Sequence, residues 1–141
     1  MTIDLTAYDL ILLSTSGGKD SEAMLIEVTR QAKEAGVLDR CVAIHADLGD
    51  VEWAGTKELA EKQAGLLGLP FVVVANERET ILERVGRPQV KDPSKRWKWA
   101  DNQNRWCTSD FKRAPIQKYM TAAHRGFTER TGRKEFRLLN V

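Results

Sequence analysis

The stretch Ser16-Gly17-Gly18-Lys19-Asp20-Ser21 constrains this chain more than any other. It follows the apolar run Leu10-Ile11-Leu12-Leu13 and opens an amphipathic segment from Glu22 to Ala35. A strand, a glycine turn and a helix in that order set the backbone N–H groups of the helix start against an anion. The paired glycines allow torsions and a close approach that a Cβ would block. Lys19 adds a mobile positive charge at the mouth of the helix, and Ser16 and Ser21 add hydroxyl donors. These residues describe a cradle for a phosphate or pyrophosphate group.

The rest of the chain fits an alternating pattern. Tyr8–Ser14 reads as a strand buried on both faces, followed by a helix to Ala35 that stops at Gly36. Cys41–Ala46 is a second strand and Asp47–Asp50 the loop after it. A helix over Val51–Leu67 stops at Gly68, and Pro70 leads into a third strand, Phe71–Val74. Strands alternating with helices of this length predict a parallel sheet. Beyond Asn76 the pattern breaks. A short helix is expected over Glu79–Val85, and an irregular stretch over Gly86–Asn104 with two prolines, five basic residues and two tryptophans. A long helix is expected over Ser109–Arg125, with Pro115 as a kink or early-turn residue. Phe136–Val141 reads as a fourth strand. The expected architecture is α/β: a doubly wound parallel sheet with helices on both faces, forming one domain over residues 1–141. An α/β enzyme normally continues past such a strand, so the domain reads as truncated after the fourth.

Composition narrows the class. At 42% hydrophobic and 30% charged residues, with no run approaching a membrane span, the chain reads as a soluble cytoplasmic protein with no membrane partner. The start MTIDLTAYDL carries acids where a secretory signal has bases. Cys41 and Cys107 supply no disulfide framework. The net charge of +2 conceals an asymmetry: residues 1–83 hold 7 basic and 15 acidic residues, residues 84–141 hold 15 basic and 5 acidic. A basic half of this kind suits a polyanionic ligand or nucleic acid, or equally a solvated face or self-association into a homo-oligomer.

The glycine turn is neither a Walker A loop, since Asp20 follows the lysine, nor G-x-G-x-x-G, since its glycines are adjacent. It resembles the PP-loop, SGGxDS, of the ATP pyrophosphatase and PAPS reductase superfamily, the adenine nucleotide alpha hydrolases. Two further blocks follow in that superfamily's order. His45-Ala46-Asp47-Leu48-Gly49 resembles its H-x-D-x-G segment, and Arg105–Ile116 resembles the R-x-C-T-x-x-x-K-x-x-P-[IL] segment of PAPS reductase-like proteins and DNA-phosphorothioation ATP pyrophosphatases.

The resemblance implies a Rossmann-like sheet and an adenine nucleotide, ATP, bound by Ser16, Gly17, Gly18, Lys19, Asp20, Ser21, Asp47 and Arg113. Asp47 could ligate Mg²⁺, a hard cation that prefers oxygen, or with Asp50 cap the next helix, and the two roles are compatible. Lys19, Arg105 and Lys112 are expected to stabilise developing phosphate charge. Cys107, among cations near a helix start, sits where thiols are reactive. It reads as a sulfur carrier, a metal-cluster ligand or a plain structural thiol. Cys41 and His45, on a buried strand, read as structural. Trp97, Trp99 and Trp106 read as a hydrophobic lid, or as stacking surfaces for bases.

The implied chemistry is ATP cleavage between the α and β phosphates, serving sulfur transfer or nucleic-acid modification with a nucleic acid or sulfur-donor protein as partner. Two alternatives stand beside it: a sulfonucleotide reductase, and a non-catalytic nucleotide- or nucleic-acid-binding subunit. Such reductases usually carry a cysteine-bearing tail and often lack the PP-loop lysine. These 141 residues hold Lys19 and no such tail, which favours ATP cleavage.

Overall fold

A computed structural model describes residues 3–141. Four strands form one all-parallel sheet: β1 (Leu10–Ser14), β2 (Cys41–Asp47), β3 (Phe71–Ala75) and β4 (Leu138–Asn140), in the order β3-β2-β1-β4. Helices α1 (Lys19–Glu34), α2 (Thr56–Leu66), α3 (Ile81–Gly86) and α4 (Ala114–Thr131) connect them. The α/β class and the parallel sheet expected from the alternation are present. Among the described residues no helix is long and apolar enough to cross a membrane.

The sheet is organised around β1, where Ile11, Leu12 and Leu13 are fully buried. Side chains alternate between the faces of a strand. Ile11 and Leu13 of β1, with Cys41 and Ala43 of β2, join Leu25 and Ala32 of α1 and Ala64 of α2 in the main apolar cluster. The alternate residues Leu12 and Ile44 are equally buried but lie outside that cluster. A second, smaller cluster gathers Ile81, Trp106 and Phe111, with Leu48, Val85 and Cys107 packed against it.

Several boundaries differ from those expected. The second helix begins at Thr56, not Val51, because Gly49–Val51 forms a 3-10 turn and the carbonyl of Trp53 takes both the N–H and the hydroxyl of Thr56. β4 is confined to Leu138–Asn140. The long helix extends from Cys107 to Thr131, its first seven residues, Cys107–Arg113, being π-helical. Pro115 leaves one carbonyl of this segment short of a donor. In i→i+5 bonding the Asp110 carbonyl looks to residue 115 for a donor, and proline has no N–H. Asn76, just past β3, supplies one instead: its Nδ2 donates to the Asp110 carbonyl at 3.2 Å.

Candidate functional site

The glycine turn lies past the carboxyl end of β1, next to the place where strand order reverses between β2-β1 and β4. Open α/β sheets bind ligands at such a point. Gly17 has φ +74°, and a Cβ built on it would lie 3.0 Å from the Thr56 carbonyl oxygen at the start of α2. Only glycine fits that torsion and that gap. Within the turn, Gly17 N–H donates to Thr15 Oγ1 (3.2 Å), Ser16 N–H to Ser21 Oγ (3.3 Å), and Ser21 Oγ–H to the Gly18 carbonyl (2.8 Å). The amides after that are free. Gly18 caps α1 without a side-chain cap, and the first backbone bond of the helix runs from Glu22 N–H to Gly18 O (3.0 Å). The N–H groups of Lys19, Asp20 and Ser21 therefore have no intrahelical partner. Among the described residues Gly18 N–H has none either, and Lys19 Nζ makes no hydrogen bond or ion pair.

Two buried polar side chains back this turn. His45 Nδ1 lies 2.9 Å from the Thr15 carbonyl, and Gln63 Nε2 donates to the Gly17 carbonyl at 3.3 Å. Gln63 stands on the apolar stripe of α2 between Ala60 and Ala64. That placement is the signal by which the sequence could have singled it out. His45 stacks on Phe71, which agrees with a structural reading. Its Nε2 lies 3.4 Å from Glu52 Oε2 with no hydrogen bond between them.

Asp47 ends β2. Its Oδ1 accepts the Gly49 N–H (2.8 Å) and its Oδ2 meets Lys57 Nζ at 3.3 Å. The Gly49 hydrogen bond, and secondarily Lys57, hold the carboxyl below the usual aspartate range. Asp47 thus shapes its own loop; neither it nor Asp50 caps α2, whose N-cap is Gly55. Among the described residues no group of three or more His, Cys, Asp or Glu side chains could hold a metal ion. One carboxylate is nevertheless enough for Mg²⁺ when phosphates and water complete the shell.

The Arg105–Arg113 segment shares an apolar cluster with the same loop, since Leu48 packs against the cluster that holds Trp106 and Phe111. Arg105 and Arg113 are exposed and Lys112 is half-buried. Among the described residues these three cations form no side-chain hydrogen bond or ion pair, and none joins them to the glycine turn. Cys107 is half-buried, while Cys41 is fully buried and its thiol pKa is raised, chiefly by desolvation. Trp106 sits inside the second cluster with its Nε1–H donating to the Lys98 carbonyl, so it is packed, not open to a base. Trp99 remains exposed.

Sequence reasoning missed Arg84. Its side chain is 11% exposed and bonds Glu79 (2.6 Å) and Asp110. Its guanidinium carbon lies 4.8 Å from the centre of the Phe111 ring, 5.1 Å from Trp106 and 5.8 Å from Trp97. Arg84 borders a cavity of about 740 Å³ at the end of β3, which also takes in Asn76, Glu77, Arg87 and Lys118. That cavity does not include the glycine turn. Its charges largely satisfy one another, through Arg84 and Arg87 with Glu79 and Lys118 with Glu77. The glycine turn, with free amides and a free cation, is the stronger anion seat of the two. No protein-family model matches the sequence, and no curated protein matches it.

Proposed function

We propose that this chain binds ATP with its phosphates on the glycine turn, and that it is an ATP pyrophosphatase-type enzyme of the PP-loop, PAPS reductase-like superfamily. The observation that carries this reading is the run of four backbone amides, Gly18 to Ser21, at the start of α1 beside Lys19, all of them without a partner among the described residues. Four donors, a helix dipole and one cation suit a polyphosphate far better than a neutral ligand. The fold reading that goes with it is a doubly wound sheet, supported by the reversal of strand order at β1.

In the proposed reaction an acceptor oxygen attacks the α-phosphorus of ATP. The bond to the β-phosphate oxygen breaks, pyrophosphate leaves, and the acceptor is adenylated. The protein's part is positioning and charge stabilisation. The amides and Lys19 hold the leaving phosphates; Arg105, Lys112 and Arg113 supply further positive charge from the segment that packs on the Asp47 loop. In this reading Asp47 would hold Mg²⁺ brought in with the nucleotide, and Lys57 would release it to do so. When bound, the ion would neutralise phosphate charge.

Lys19→Ala tests the reading. Among the described residues the Lys19 ammonium makes no hydrogen bond or ion pair, so the melting temperature should stay within about 2 °C of wild type. ATP affinity, read by calorimetric titration with Mg²⁺, should fall roughly ten- to a hundredfold, as expected for loss of a charge-assisted contact. Wild-type affinity in the variant would refute the assignment. Pyrophosphate release then separates turnover from binding alone.

A further inference from the structure

We infer that His45 and Gln63 are positioning residues for the phosphate-binding turn, an inference that rests on the nucleotide reading above. Each reaches from behind the turn to one of its carbonyls: His45 Nδ1 to Thr15 O at 2.9 Å, Gln63 Nε2 to Gly17 O at 3.3 Å. A carbonyl only accepts, so Nδ1 of His45 carries the hydrogen. In a trans peptide the C=O and the following N–H point in opposite directions, and no peptide bond of the described chain is cis. Holding Gly17 O against Gln63 therefore turns Gly18 N–H away from the protein, and Gly18 N–H is the first of the four free amides. Holding Thr15 O against His45 fixes Ser16 N–H in the same way, toward Ser21 Oγ.

A second observation is independent of those contacts. Both side chains are almost fully buried, His45 at 1% and Gln63 at 6% exposure, and each leaves its other polar atom, Nε2 and Oε1, without a hydrogen bond. A buried unsatisfied polar atom is costly, and an apolar side chain would suit the Ala60–Ala64 stripe better. The polar residues do not earn their places through stability. What they supply is the direction of the loop amides. They also tie the turn to two other elements, since Gln63 belongs to α2, and His45 precedes Asp47 on β2 and faces Glu52 in the loop beyond it.

The test uses Gln63→Met, His45→Leu and His45→Asn in the full chain. Methionine keeps the length of Gln63 without the donor; asparagine places an N–H where Nδ1 stands. Melting temperature, ATP affinity and inorganic pyrophosphate affinity are measured for each. Gln63→Met removes the unpartnered Oε1 but strands the Gly17 carbonyl, so it should fold and melt within about 5 °C of wild type. Even so, it should bind both ATP and pyrophosphate about tenfold more weakly, the order of one lost oriented hydrogen bond. His45→Leu should show the same equal loss for the two ligands, and His45→Asn should recover most of it. Wild-type affinity for both ligands in a folded Gln63→Met would overturn the inference, as would a loss confined to ATP. Should His45→Leu fail to fold, Gln63→Met and His45→Asn decide the matter alone. Failure of the wild-type protein to bind either ligand would instead overturn the nucleotide reading itself.

Discussion

Gly17→Ala should lower stability by about 3 kcal/mol, the sum of left-handed strain on a residue with a Cβ and a collision that backbone alone must absorb. The collision is specific. The new Cβ would sit 3.0 Å from the carbonyl oxygen of Thr56 and 3.7 Å from the backbone nitrogen of Ala60, neither of which can rotate away as a side chain end could. Either α2 retreats from the turn or the turn leaves its left-handed torsion, and both outcomes disperse the free amides. ATP affinity should therefore fall by more than about tenfold. Gly68→Ala is the matched control. Gly68 has nearly the same torsion, φ +75°, with nothing within 4 Å of the built Cβ, so it should cost only the strain, about 1–2 kcal/mol. Urea denaturation compares the two. Equal destabilisation would mean that the contact between the turn and α2 is not tight.

Arg84→Leu should cost about 2–4 kcal/mol, because it leaves Glu79 with only the longer contact to Arg87, at 3.3 Å, and removes a guanidinium from among three aromatic rings. Glu79 is 15% exposed, so its carboxylate is poorly placed to regain water. Asp110 is 42% exposed and suffers less. Arg84→Lys should rescue only part of the loss, since an ammonium cannot bridge two carboxylates in one plane while stacking. The effect has a pH signature. The carboxyl of Asp110 is held below the usual aspartate range, first by the Ser109 hydroxyl and then by Arg84. A carboxyl depressed in the folded state adds stability above its unfolded pKa, and the gain disappears as pH falls through the folded value. The wild-type advantage over Arg84→Leu should thus be full at neutral pH and shrink below about pH 4. An advantage that does not change with pH would place the energy in the stacking alone. No loss of stability in Arg84→Leu would contradict the account of this cluster.

The two halves of the chain differed in how far their structure could be read from sequence. The glycine turn was legible because its determinants are local: an apolar strand, two adjacent glycines and the first turn of a helix fall within about a dozen residues. The buried character of β1 was legible for the same reason. Gln63 was not, because its partner, Gly17, is 46 residues away and only the packing of α2 brings them together. Arg84 looked like one of many cations in a basic half. Its role depends on Asp110, 26 residues on, and on the rings of Trp97, Trp106 and Phe111. The start of α2 was misplaced because Val51 fits an apolar period, whereas the Trp53 carbonyl and Gly55, at φ +85°, decide where the helix begins. The tryptophans divided. Trp106 packs inward, and Trp97 lies beside Arg84 and Arg87.

The most direct test of the central claim is an amide ¹H–¹⁵N spectrum recorded as ATP and Mg²⁺ are added. If the phosphates rest on the start of α1, the largest shifts should fall on Gly18, Lys19, Asp20 and Ser21, the amides that have no partner among the described residues. Inorganic pyrophosphate should move the same four resonances. ATP binding that leaves these amides unmoved, or the absence of any binding, would contradict the account.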